Sequence, residues 1–246
     1  MTEQEILKKL TIDEDYYGDF GKQFLSASNI RSLLYRPTEF RKSEKTLPLI
    51  QGRYFHTAIL EADKLHTIPV VGMGSRNSKE FKEVCKENEY HPYDVLLMKE
   101  KQHLDNMVDS LLSNLEVYEM IHGPKVQYEI PGITMMEDVM FKGKCDILTD
   151  QNVFDLKTSS NVHKFRHSCR EYCYDSQAYI YQTLFNKPMV FIVIDKTTFE
   201  VKIADCTPEF ISNGEQRVKK AIEVYKNFFI DESKFDISSY IYKETL

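Results

Sequence analysis

The spacing of apolar positions along the chain changes near its midpoint, from a helical period to a strand period. In the first half, Ser26 or Ser28 can cap a helix that Pro37 brings to a stop. A second helix is predicted over 51–62. The stretch 65–76 holds Pro69, Gly72 and Gly74 and reads as a loop. Helices follow near 78–88 and 95–112, the latter with Asp94 as its cap and apolar positions 97, 104, 108 and 111 on one face. Beyond residue 125 the pattern predicts strands over 126–130, 135–148 and 153–157. A helix over 171–186, strands over 189–194 and 199–204, and a last helix over 208–229 complete the chain. That last helix has Thr207 as cap and Pro208 in its first position. The order implies an α/β fold, a mixed central sheet flanked by helices with a helical N-terminal half.

Composition narrows the class. The 246 residues are 42% hydrophobic and 28% charged, enough for one domain over 24–246 behind an acidic segment, 1–23. No apolar run approaches the roughly 20 residues that span a bilayer. The N-terminus has no basic stretch followed by an apolar one, so no signal peptide is expected. Five scattered cysteines suit reduced thiols in a cytoplasm. The net charge of −6 argues against tight non-specific binding to nucleic acid. Six acidic and two basic side chains fall within residues 1–20, however, so part of the excess is local. No Gly-x-x-x-x-Gly-Lys phosphate loop occurs, and no bound nucleotide is expected.

The candidate chemistry lies in Phe141-Lys-Gly-Lys-Cys-Asp146-Ile-Leu-Thr-Asp-Gln-Asn-Val-Phe-Asp155-Leu-Lys157. Thr149–Asn152 is rich in turn formers between two strand-like runs. A turn centred between Asp150 and Gln151 sets Asp146 opposite Asp155, with Lys157 emerging on the same face. Opposed carboxylates repel, which makes the arrangement poor as structure alone; a divalent cation between them reverses the sign. Such a cation can acidify a water into a nucleophile and stabilise charge on phosphoryl oxygens. Lys157 would orient that water or neutralise the developing charge. A solvated hairpin face is the alternative, and a one-residue slip would separate the two aspartates. Further on, Lys164, Arg166 and Arg170 flank Phe165 in a loop-like stretch that could hold phosphates. His56, Glu61 and Glu129 are other polar groups on apolar elements. Each has an ordinary structural explanation.

Four separated segments together resemble the PD-(D/E)XK nuclease superfamily, and within it the exonuclease VIII (RecE-type) and phage recombination exonucleases. They are Gly52-Arg-Tyr-Phe-His56-Thr-Ala-Ile-Leu-Glu61, Lys142-Gly-Lys-Cys-Asp146, Phe154-Asp155-Leu-Lys157-Thr158 and Tyr174-Asp-Ser-Gln177-Ala-Tyr-Ile-Tyr181. The resemblance implies metal ligation by His56, Asp146, Asp155 and the carbonyl of Leu156, with Lys157 as the catalytic lysine. Gln177 and Tyr181 would hold DNA or brace the site. It further implies Mg²⁺ or Mn²⁺, double-stranded DNA as substrate, a 5′→3′ exonuclease activity, a single-strand annealing partner and a ring-like homo-oligomer. Relatives with an iron–sulfur cluster use four cysteines, three of them clustered, a pattern missing here, and no cluster is expected.

Overall fold

The computed structural model describes residues 1–42, 44–230 and 235–241. The tail of the expected domain, 242–246, lies outside them. Its centre is a five-stranded sheet of β3 (Gln127–Met136), β4 (Val139–Leu148), β5 (Val153–Ser159), β6 (Met189–Asp195) and β7 (Val201–Asp205), in that spatial order. All neighbours are antiparallel except β5 and β6. A parallel pair needs a crossover, supplied here by α8 (Phe165–Glu171) and α9 (Tyr174–Phe185).

Helices cover both faces. Val153, Phe191 and Val193 pack in one layer with residues of α3 (Ala27–Tyr35), α8, α9 and α10 (Pro208–Phe228). Phe154, Leu156, Val190, Ile192 and Ile194 pack in the other with α4 (Leu47–Leu60), α6 (Met98–Ser113) and α7 (Leu115–His122). This strict alternation is what a period of two demands of a strand between two layers. Accordingly β6 is buried along its whole length.

The acidic N-terminal segment forms α1 (Glu3–Leu10) and α2 (Asp13–Tyr17), which lie over β3 and β4. Tyr16 turns its ring under the ammonium of Lys142, 3.8 Å from the ring centre, and the Lys144 ammonium meets Asp13 Oδ1 at 2.5 Å. Two strand lysines that would otherwise be buried without partners are thereby satisfied. Among the described residues, no helix is long and apolar enough to cross a membrane.

Several expected boundaries shift. The run 135–148 is not one strand: Glu137 and Asp138, at φ 47° and 64°, make the hairpin turn between β3 and β4. Turns with two positive φ angles favour Asn-Gly or Asp-Gly, so the sequence carries no such mark here. Within 65–76, the expected loop contains β1 (Val70–Val71), which pairs in parallel with β2 (Leu96–Leu97) ahead of α6. Asp94 does not cap that helix. It pairs with Lys45 at 2.5 Å, while the Glu100 carboxylate accepts from the Leu97 N–H at 2.9 Å. The helix expected over 171–186 starts at Tyr174, because Cys173 takes a left-handed conformation (φ 58°) that parts it from α8. By contrast, Thr207 does cap α10, accepting from the Phe210 N–H at 3.2 Å. The remaining helix, α5 (Lys79–Glu87), matches its expected span closely.

α10 crosses α9 at Gly214, where a Cβ would stand 2.0 Å from the carbonyl oxygen of Asp175. In an exposed helix, glycine to alanine stabilises by up to about 1 kcal/mol. At Gly214 the sign should invert, and thermal unfolding of Gly214→Ala should show a lowered midpoint. Gly52, inside α4 with nothing within 4 Å of its would-be Cβ, should behave oppositely, gaining about 0.5–1 kcal/mol on Gly52→Ala.

Candidate active site

The geometry begins at the turn Thr149–Asn152. The Thr149 hydroxyl accepts from the Asn152 N–H at 2.9 Å and fixes the hairpin in the expected register. Leu148 opposes Val153 and Ile147 opposes Phe154. The ladder then ends. Its next step would be Asp146 opposite Asp155, and there the strands part: β4 stays with β3 while β5 runs on beside β6 from Val153 to Ser159. In place of a ladder bond, the Leu156 N–H donates to Asp146 Oδ2 at 2.6 Å.

A second irregularity sits at the same level. The β3–β4 ladder runs through Tyr128 opposite Ile147 and Ile130 opposite Cys145, but omits the intervening pair of Glu129 and Asp146. Glu129 has φ 52°, rare for a residue with a side chain. Cys145 and Ile147, two residues apart, consequently belong to opposite core layers. The strand pair rolls over at Asp146, and its carboxylate comes out beside α4.

α4 is anchored by the buried Tyr54, Phe55, Ile59 and Leu60. That anchoring holds His56 with Nδ1 3.3 Å from Asp146 Oδ2. His56, Glu129 and Asp146 each offer one ligand atom within 4.8 Å of the others. An imidazole with two carboxylates is a donor set suited to Mn²⁺ as well as Mg²⁺. Glu129 had no assigned role in the sequence. Its position follows from the Glu137-Asp138 turn, which the sequence does not signal.

Asp155 is almost fully buried. Gln177 Nε2 donates to its Oδ1, and the Lys157 ammonium is ion-paired with its Oδ2. That second oxygen has no hydrogen bond of good geometry despite the ion pair. Lys157 also lies 4.9 Å from the centre of the Tyr174 ring.

Burial and mutual charge set the proton affinities. Burial works to raise Asp146, but the His56 charge and hydrogen bond, Lys157 and the Leu156 N–H outweigh it and hold the carboxyl below its ordinary value. At Asp155 burial prevails, helped by the Asp146 charge, and the carboxyl is raised. Glu129 is pushed up to about 7, first by burial and then by Asp146. His56 and Lys157 both resist burial through their acidic neighbours and are raised. Two carboxyls held high beside one held low is the separation expected of acids that share a confined space.

The other sequence candidates divide. Gln177 braces Asp155, and the buried Tyr181 hydroxyl donates to the Lys144 carbonyl at 3.0 Å; both turn inward. Gly143 allows this, since a Cβ there would stand 2.9 Å from the Tyr181 ring. Glu61 pairs with Lys64 at the end of α4. The stretch read as a loop around Lys164, Arg166 and Arg170 is mostly the helix α8, with all three side chains exposed.

A family model described as "PDDEXK-like domain of unknown function (DUF3799)" matches residues 22–241. The crystal structure of a "Putative exonuclease" from Eubacterium rectale shares this fold at a TM-score of 0.64 and 14% identity, over 96% of this chain and 95% of that one. A phage-related exonuclease from Haemophilus somnus 129PT aligns at a TM-score of 0.33 and 13% identity, over 82% and 93% of the two chains. No curated protein matches the sequence. The chain belongs to the PDDEXK-like family.

Glu129 binds its proton more tightly in the folded chain than in the unfolded one. Its contribution to stability is complete below its ordinary value of 4.5 and is lost as pH rises through about 7. In metal-free protein, the midpoint of thermal unfolding should fall more between these limits for wild type than for Glu129→Gln. Mn²⁺ bound at this cluster would compete with that proton and should then stabilise wild type more above pH 7 than below pH 5. Equal stabilisation at both ends would count against Glu129 as a metal ligand.

Proposed function

We propose that this chain is a divalent-metal-dependent deoxyribonuclease, acting 5′→3′ as an exonuclease on double-stranded DNA in phage or prophage recombination. One observation carries the proposal. Where β4 and β5 part, His56, Glu129, Asp146, Asp155 and Lys157 are gathered in one largely buried patch with linked charges. Purely structural aspartates on a hairpin would have stayed in the ladder or faced solvent.

His56, Asp146, Asp155 and the Leu156 carbonyl are the proposed metal ligands, with Glu129 added from the geometry. When bound there, Mg²⁺ or Mn²⁺ would supply Lewis-acid activation of water and neutralise charge on the phosphodiester. The protein's own groups do the rest. Lys157 keeps its proton next to Asp155 and stands ready to stabilise negative charge growing on a phosphoryl oxygen. Gln177 fixes the Asp155 carboxylate through Oδ1 and leaves Oδ2 to the Lys157 ammonium. His56 and the Leu156 N–H orient Asp146. In-line attack of water on phosphorus, with the P–O3′ bond breaking and the leaving oxygen taking up a proton, would leave a 5′-phosphate and a 3′-hydroxyl. The exonuclease polarity, an annealing partner and a ring of subunits follow from the family resemblance alone; endonuclease activity on the same core, or DNA or partner binding without catalysis, are the competing readings.

Cleavage of duplex DNA with Mn²⁺ tests the placement. Lys157→Ala should lose about 10²–10³ in rate, the magnitude of removing one transition-state charge donor. Asp146→Asn should lose at least as much. Wild-type rates in Lys157→Ala would overturn the assignment. Linear duplex degraded while closed circular duplex survives is the expected result for an exonuclease; nicking of the circle would mean an endonuclease.

A further inference from the structure

A cavity of about 740 Å³ opens on the helical layer that carries α3, α8 and α10, away from α4. Arg31, Arg36, Lys42, Arg170 and Arg217 line it against only two carboxylates. In a chain of net charge −6, this is a local reversal of sign. Two of the cations have structural duties. Arg217 Nε lies 3.4 Å from the buried Asp175 carboxylate, and Arg31 Nε donates to the Glu171 carbonyl at 2.9 Å. Arg36 has only a solvated contact with Glu39, at 3.5 Å. Among the described residues, Lys42 and Arg170 have no side-chain ion pair or hydrogen bond. A solvated basic surface would spread such charges apart; here they surround a concave space, where like charges repel unless an anion joins them.

The cavity is also wired to the catalytic patch. The Lys157 ammonium is 4.9 Å from the Tyr174 ring centre, Tyr174 is 5.8 Å from Tyr172, and Arg31 lies 5.3 Å from Tyr172. Two exposed tyrosines flank the cations: Tyr35, on the wall of the cavity, is 50% exposed and Tyr172, which the Arg31 guanidinium covers in part, is 46% exposed. Exposed aromatic faces beside a basic groove are the elements on which unpaired bases stack while their phosphates are neutralised. An acidic protein segment would have use for the cations but not for the rings.

We propose that this cavity is a backbone subsite for a single DNA strand, holding several of its phosphates to one side of the proposed catalytic patch. The inference rests on the nuclease reading for its placement, but its test does not require cleavage. Binding of a fluorescent thymidine strand of about 20 nucleotides is followed by anisotropy in EDTA, across salt from about 50 to 200 mM. Each phosphate neutralised on a single strand contributes about −0.7 to the slope of log affinity against log salt. The triple variant Arg36→Gln/Lys42→Gln/Arg170→Gln should shallow the slope by about 2 and weaken binding at least about tenfold at the lowest salt. Lys42→Gln alone, at an exposed position, should remove about one third of the slope change and serves if the triple variant melts below wild type.

An unchanged slope in both variants overturns the subsite. So does tight binding of thymidine monophosphate that the variants abolish while strand binding persists, which would make the cavity a single-phosphate pocket. Competition by polyglutamate as effective, charge for charge, as the strand would assign the cavity to an acidic partner and overturn it too. A shallower slope in a protein whose cleavage ignores Lys157 would sustain the subsite and sink the nuclease mechanism. Cleavage that needs Lys157 with an unchanged slope would do the reverse.

Discussion

The separation of β4 from β5 after two ladder pairs is the constraint on which the site depends. Had the hairpin continued, Asp146 and Asp155 would face each other as unscreened like charges across a ladder, an arrangement that destabilises sheets. Instead each acid leaves with its own partners. Asp146 takes His56 and a backbone N–H; Asp155 takes Lys157 and Gln177. The parting is enforced from outside the hairpin, by the parallel pairing of β5 with β6 on one side and the long β3–β4 ladder on the other. Buried acids with partners from three different elements, α4, β5 and α9, are expensive to assemble, and unpaired they would cost several kcal/mol each. A fold that assembles them this way is shaped around the charges, and the core layers on either side supply the rigidity that keeps them in place.

The same logic extends to the other buried cations of β4. Lys142 and Lys144 flank Gly143, whose missing side chain admits the Tyr181 ring, and the two ammonium groups turn to the opposite side of the strand. Burial, then Lys144 and Arg41, lower Lys142 to about 8. The N-terminal segment answers with a ring face, a backbone carbonyl and the carboxylate of Asp13. Part of the acidic excess at the start of the chain is therefore structural counter-charge for lysines inside the fold, placed on the strand that also carries Asp146.

The hairpin register was legible because turn formers and strand runs are local, and numbers summing to a constant fix opposition once the turn is placed. Leu148 opposite Val153 and Ile147 opposite Phe154 follow from that arithmetic. What local pattern could not convey was that the ladder stops one step short of the acids, since the force that parts them comes from β6, more than 30 residues away. Glu129 was hidden for a related reason. Its opposition to Asp146 depends on a turn made by Glu137 and Asp138 in positive φ, residues that do not announce such a turn. The break between α8 and α9 at Cys173 was equally silent, because cysteine carries no preference for the left-handed region it occupies. The α10 cap at Thr207, a purely local hydrogen bond, was readable.

Net charge says little about what a polyanion would meet on contact. A total of −6 describes the field far from the molecule, and at ordinary ionic strength that field is screened beyond about 8–10 Å. A strand lying in a groove feels the charges within that length. Along one stretch it would meet Arg31, Arg36, Lys42 and Arg170; at the proposed catalytic patch it would meet acids that a bound divalent cation would neutralise. Acidic groups elsewhere, many on α1 and α2, are already engaged with internal lysines or face solvent. An acidic protein can thus present a basic track to a polyanion, at the cost of weak attraction before contact. Association should consequently be slow and salt-sensitive only through the few phosphates actually touched, so that grip comes from close fit rather than from long-range steering.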